Sequence, residues 1–86
     1  MRVQGAVVRE QGQTFAVVTV RPSVLSSNAQ ANQAILSFRS VFPGISVVLM
    51  AQDSRGRPTY FGRSDIARFL SRIPMSAIPW RQYTIS

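Results

Sequence analysis

Five arginines lie within eighteen consecutive residues of this 86-residue sequence, and the chemistry that they suggest is phosphate binding. An arginine guanidinium is planar, stays charged at neutral pH and offers paired N–H donors to phosphate oxygens. We predict that these side chains contact nucleic-acid phosphates. They are Arg55, Arg57, Arg63, Arg68 and Arg72. Because phosphate contacts carry no direct base information, this pattern does not imply sequence-specific recognition.

The charge balance of the whole chain points in the same direction. The chain contains ten arginines, no lysines and only three acids (Glu10, Asp53 and Asp65), which gives a formal net charge of +7. A small domain with this excess attracts polyanions, so we expect nucleic acid or another polyanion as a partner. An ordinary solvated helix face explains Arg68 and Arg72 equally well, since they are one helical turn apart and Asp65 can pair with Arg68. All-arginine usage can also follow from genomic base composition.

Enzymatic catalysis is not expected from this set of residues. The sequence contains no His, Lys or Cys. Acid–base and nucleophilic catalysis near neutral pH usually depend on one of these or on a tuned carboxyl group, and zinc sites need His or Cys ligands. The three acids fall in separate segments and do not suggest a site for a hard cation. We therefore predict a non-enzyme with no catalytic residues, no metal site and no cofactor.

Length and hydropathy predict a single domain in the cytoplasm. With 86 residues, 45% of them hydrophobic, the chain has the size and apolar content of one small domain over 1–86. Its longest strictly apolar run, 47–51, is far shorter than the roughly 20 residues of a membrane-spanning helix. No apolar stretch of signal-peptide length follows Met1. We expect a cytoplasmic protein without a membrane span.

The first half of the chain predicts a β-hairpin followed by a helix. Residues 2–10 and 14–21 are rich in Val and lack helical spacing, which favours two strands joined at the glycine-containing residues 11–13. A helix then begins at a capping side chain within 26–28 and ends before Pro43. The apolar residues recur at helical spacing and predict one buried stripe. They are Ala31, Ala34, Ile35, Phe38, Val41 and Phe42.

The second half predicts two further strands and a second helix. Residues 45–51 form an almost continuous apolar strand, 53–57 a turn, and 58–61 a short strand that starts with proline and therefore lies at a sheet edge. Ser64 is placed to cap the second helix. The tail, 75–86, has room for one more short strand. The buried stripe of the second helix consists of Ile66, Phe69, Leu70 and Ile73.

These elements predict an α+β fold in the order ββαββα. The segment from the second strand through the first helix to the third strand is long enough for a right-handed crossover between parallel strands. We expect a mixed four-stranded sheet with this central parallel pair and with both helices on one face. The first strand lies either outside the second strand or between the second and the third.

The second face of that sheet leads to an alternative function. Residues 15–20 and 47–51 are almost unbroken apolar runs, which is typical of strands that are buried on both faces. Two helices on one face would leave the other face to the C-terminal tail or to a second subunit. The alternative is therefore a protein–protein or homodimeric interaction module. Its predicted contact residues are Val18, Val48, Trp80 and Tyr83.

The turn between the third and fourth strands contains a short motif of its own. Its sequence, Arg55-Gly56-Arg57-Pro58, resembles the core of an AT-hook, an extended segment that enters the minor groove of A·T-rich DNA. Minor-groove arms need a free, extended backbone, whereas this segment lies between two predicted strands. We therefore predict a hairpin turn in which Gly56 supplies an unusual backbone dihedral.

Overall fold

A mixed β-sheet forms the centre of the protein. The computed structural model describes residues 2–10 and 12–84, so residue 1, residue 11 of the predicted hairpin connection and residues 85 and 86 of the predicted tail lie outside the described residues. The strands in chain order are β1 (Arg2–Glu10), β2 (Gln13–Thr19), β3 (Ser46–Gln52), β4 (Pro58–Phe61) and β5 (Arg81–Thr84). Across the sheet their order is β4-β3-β2-β1-β5.

The central strands are parallel, as predicted. β2 and β3 run in the same direction, with Thr19 opposite Met50, and helix α1 (Asn28–Phe38) forms the crossover between them. β1 pairs antiparallel with β2, and β4 pairs antiparallel with β3. The first strand therefore lies outside the second, and β4, which begins at Pro58, is an edge strand.

The described sheet has five strands, so the prediction of four is wrong. The tail supplies the additional strand: β5 pairs antiparallel with β1, with Arg2 opposite Thr84 and Gly5 opposite Arg81. β2 occupies only one side of β1, and the other edge is open to a further strand. β5 thereby becomes part of the sheet instead of covering its face.

The two helices lie on opposite faces of the sheet, which corrects the prediction that both share one face. α1 packs over Ala16 and Val18 of β2, whereas α2 (Ser64–Ser71) packs over Phe15 and Val17. Successive strand residues point to opposite faces, so the unbroken apolar run of β2 is buried on both sides. The apolar stripe of a helix shows which side of the helix is buried, but it does not specify which sheet face receives it.

Gly62 allows the chain to turn from β4 onto the face that α2 covers. Its φ is +154°, and a Cβ atom at this position would lie 3.2 Å from the Cα of Val48 on β3. A side chain here would crowd β3 and would need a backbone conformation that glycine adopts most readily. The turn leads directly into α2, whose Ile66 and Leu70 join Val48 in one core cluster.

α1 begins where the sequence predicted but ends several residues before the predicted end at Pro43. Ser27 is its cap, and the hydroxyl of Ser27 accepts a hydrogen bond from the backbone N–H of Gln30 at 3.4 Å. The helix ends at Phe38, before the end of its apolar stripe. Phe42 is nevertheless buried. The N–H of Phe42 donates a 3.1 Å hydrogen bond to the Phe38 carbonyl, and this turn keeps Phe42 on the same side as the buried stripe of α1.

Candidate nucleic-acid interface

The five predicted phosphate-binding arginines are exposed and lie in three places. Arg55 and Arg57 belong to the turn between β3 and β4. Arg63 follows the far end of β4, whose four residues span about 13 Å. Arg68 and Arg72 lie one turn apart on the solvent side of α2, as the helical spacing predicted. The structure therefore does not bring the turn arginines together with Arg63.

The segment that resembles an AT-hook core is a closed turn, as predicted. Asp53 Oδ1 accepts hydrogen bonds at 2.9 Å from the backbone N–H groups of Arg55 and Arg57, and Asp53 Oδ2 accepts one at 2.9 Å from Arg57 Nε. Gly56 has φ +78°, the left-handed region that the turn requires. The hydrogen bond from the Arg57 amide, together with those from the Arg55 amide and the Arg57 side chain, lowers the pKa of Asp53.

Arg63 is held by a neighbouring carboxylate. Its Nε and Nη2 donate to the two carboxylate oxygens of Asp65 at 3.1 and 2.6 Å, which is a bidentate pair. Hydrogen bonding by this side chain lowers the pKa of Asp65. Asp65 therefore pairs with Arg63 and not with Arg68. Arg63 is also the N-cap residue of α2 and makes no side-chain cap, so the predicted cap at Ser64 is wrong.

Most arginines form no ion pair with a carboxylate within the described part of the chain. The two ion pairs there are Asp53–Arg57 and Asp65–Arg63. Every arginine of the chain is exposed. The arginines without a carboxylate partner among residues 2–10 and 12–84 are Arg2, Arg9, Arg21, Arg39, Arg55, Arg68, Arg72 and Arg81.

The two valines predicted to contact a partner lie in the core. Val18 and Val48 have 0% of their surface exposed; Val18 belongs to the cluster under α1 and Val48 to the cluster under α2. With one helix on each face, the apolar strands need no second subunit to cover them. Neither side chain can contact a partner while the chain keeps this fold.

The two predicted aromatic contact residues pack within the chain. Trp80 is half-buried against the α2-side core, and its Nε1 donates to the Met75 carbonyl at 3.0 Å. Tyr83 is half-buried on the α1 side, where its ring meets that of Phe42 edge-to-face with 4.9 Å between centroids. Both residues attach the tail to the rest of the protein.

Two other arginines, which the sequence pattern did not single out, lie at the same end of the sheet. Arg2 opens β1, and Arg21 follows β2 by two residues. Because β1 and β2 are antiparallel neighbours, both arginines lie at the same end of the sheet. The turn with Arg55 follows β3, which is parallel to β2, so it lies at that end too. Because Arg2 and Arg21 are 19 residues apart in sequence, their location at the same end of the sheet becomes evident only from the antiparallel pairing of β1 and β2.

The described residues do not form a cluster of three or more His, Cys, Asp or Glu side chains suited to a metal ion. Within the same residues, no helix is long and apolar enough to cross a membrane. Comparison of the chain with family models, with curated proteins and with solved structures found no match. Function is therefore inferred from the residues and geometry of this chain alone.

Proposed function

We propose that this protein is a non-enzymatic module that binds nucleic-acid phosphates through exposed arginines. The observation that supports the proposal is that all ten arginines are exposed, while the described residues contain only two arginine–carboxylate pairs. Cations that are not neutralised by the protein itself attract polyanions and release their counterions on contact. A planar guanidinium also matches the geometry of phosphate oxygens.

The predicted arginines differ in how freely they can bind phosphate. Arg55, Arg68 and Arg72 have no carboxylate partner among the described residues, so their N–H groups are available. Arg57 and Arg63 already donate to Asp53 and Asp65, which offsets their charge locally. We therefore assign the larger contributions to Arg55, Arg68 and Arg72.

The fold does not favour the alternative of an interaction module that uses an apolar sheet face. Both faces carry a helix, and the apolar strand residues are buried beneath them. The large hydrophobic side chains that remain exposed among the described residues are Val7 and Leu36, at 37% and 54%. Val7 lies on β1 and Leu36 on α1, and two isolated side chains are ordinary for a protein surface.

Fluorescence anisotropy with labelled DNA and RNA at increasing salt concentration tests the proposal. We expect binding at low salt that weakens steeply as salt rises, and a shallower slope for the double variant Arg68→Gln/Arg72→Gln. Removal of each phosphate contact should reduce the slope by about 0.7 to 0.9. The variant Gln30→Ala/Gln33→Ala, on the exposed side of α1, is the uncharged control and should match the wild type. Absence of binding to either nucleic acid at low salt would contradict the proposal.

A further inference from the structure

Only part of the sheet face on the α2 side is covered. α2 and the short 75–77 turn pack over one part of this face, and no other element of the described residues packs over the strand ends around Arg2. The open part, called here the open half-face, consists of side chains that are polar or charged. They are Arg2, Gln4, Thr19, Gln82 and Thr84.

Strand alternation places these side chains on the α2 side. On β1, Ala6 and Val8 belong to the core cluster under α2. Gln4 and Arg2 are two and four residues before Ala6, so their side chains point to the same face. On β2, Phe15 and Val17 belong to that cluster, and Thr19 continues their row.

β5 completes the open half-face. Tyr83 points to the α1 side, so its neighbours Gln82 and Thr84 point to the α2 side. Gln82 lies directly opposite Gln4 in the β1–β5 ladder, with Cβ atoms about 5 Å apart in such pairs. Gln4 and Gln82 are both exposed, so two primary amide side chains lie opposite each other on the same face of the sheet.

The charges around this surface are positive. Arg2 and Arg21 are exposed at its rim and have no carboxylate partner among the described residues. The acid at this end of the sheet is Asp53, and the Arg55–Arg57 turn engages its carboxylate. Glu10 lies at the opposite end of β1. The open half-face therefore presents amide groups beside guanidinium groups that no carboxylate of the described residues neutralises.

We propose that the open half-face binds single-stranded nucleic acid, with Arg2 and Arg21 on phosphates and Gln4 and Gln82 on base edges. This inference rests on the proposed function, adds a second surface to the arginines assigned there, and names the substrate class. A glutamine amide offers one acceptor and two donors, the complement of a base edge. In a duplex those edges lie inside grooves, whereas the bases of a single strand can lie on a flat sheet.

Anisotropy titrations with a labelled mixed-sequence single strand and with the matching duplex test this inference. The double variant Arg2→Gln/Arg21→Gln should lose about tenfold in affinity for the single strand and about 1.4 in salt slope, since each single-strand contact contributes about 0.7. Its control, Arg9→Gln/Arg39→Gln, changes net charge equally but lies away from the open half-face, and we expect less than half that loss of slope.

A second pair of variants tests the amide groups. Gln4→Ala/Gln82→Ala should weaken single-strand binding about threefold or more with the salt slope unchanged, because only uncharged hydrogen bonds are removed. Gln30→Ala/Gln33→Ala removes the same two side-chain types from α1, on the other sheet face, and should leave affinity unchanged. Circular dichroism establishes that each variant is folded.

Backbone amide chemical shifts of the wild-type protein provide a test that needs no variant. Addition of the single strand should shift the amides of 2–4, 19–21 and 82–84, and leave those of α1 in place. Shifts on α1 or α2 without shifts at 2–4, 19–21 and 82–84, tighter binding of the duplex, or equal losses for the Arg2/Arg21 and Arg9/Arg39 variants would each overturn this inference while nucleic-acid binding itself stands. Absence of any binding by the wild type would overturn both proposals.

Discussion

The contact between Phe42 and Tyr83 tests whether the tail strand is docked as described. The two rings meet edge-to-face, with centroids 4.9 Å apart and planes at 72°. Phe42 lies in the turn after α1 and is 4% exposed, whereas Tyr83 is on β5, so the pair joins two distant parts of the chain. Phe42→Leu and Tyr83→Leu each remove one ring and keep apolar volume.

The expected magnitudes follow from this geometry. Each single variant should lower the free energy of unfolding by about 1 to 2 kcal/mol, a normal range for loss of a packed ring. An edge-to-face aromatic pair contributes about 0.5 to 1.5 kcal/mol beyond the area that it buries. The double variant should therefore be about 1 kcal/mol more stable than the sum of the two single effects implies.

Urea denaturation followed by Trp80 fluorescence and far-ultraviolet circular dichroism measures the coupling. Phe69→Leu combined with Tyr83→Leu is the control cycle, since Phe69 packs with Phe15 on the other sheet face, at 6.2 Å between ring centroids. Those two changes should be additive to within about 0.5 kcal/mol. If the Phe42–Tyr83 cycle is also additive, the two rings are not in contact in solution and the described position of Tyr83 is refuted.

Two further predictions concern the turn at Asp53. The folded-state pKa of Asp53 is lowered chiefly by the hydrogen bond from the Arg57 amide, so the contribution of this carboxylate to stability is present above about pH 4 and is lost as pH falls through the lowered pKa. Urea midpoints should show Asp53→Asn less stable than the wild type at neutral pH and equal to it in acid. A stability difference that stays constant with pH would contradict this. Gly56→Ala places a Cβ at φ +78° and should lower the free energy of unfolding by about 1 to 2 kcal/mol in the same assay. The control Ser54→Ala, in the exposed part of the turn, should change it little. Equal effects of the two variants would show that backbone strain is not the cause.

Much of the fold could be predicted because local patterns specify it. Val-rich segments without helical spacing placed the first three strands, β4 has the predicted bounds Pro58–Phe61, and the central parallel pair followed from the length of the crossover. The face that each helix covers could not be predicted, because it depends on the route that the chain takes at Gly62, a close approach to Val48 that no periodicity encodes.

The candidate site was harder to predict than the fold. Sequence clustering grouped Arg57 with Arg63, although β4 separates them, and it passed over Arg2 and Arg21, which only the strand register brings to one end of the sheet. Gln4 and Gln82 lie opposite each other in the β1–β5 ladder, although they are 78 positions apart in sequence. Contacts between distant segments of this kind require a known topology.

The pairing of β1 with β5 also determines when this protein can complete its folding. Residues 2–5 find their second partner in residues 81–84, so the outer edge of β1 stays unpaired until nearly the whole described chain has been synthesised. The hairpins β1–β2 and β3–β4 form from local contacts, whereas this closure joins segments at the greatest separation and should be slow. During that interval the edge of β1 is open to other unfolded chains. Release of the chain before residue 81 is made, or truncation there, would therefore favour aggregation over a smaller but intact fold.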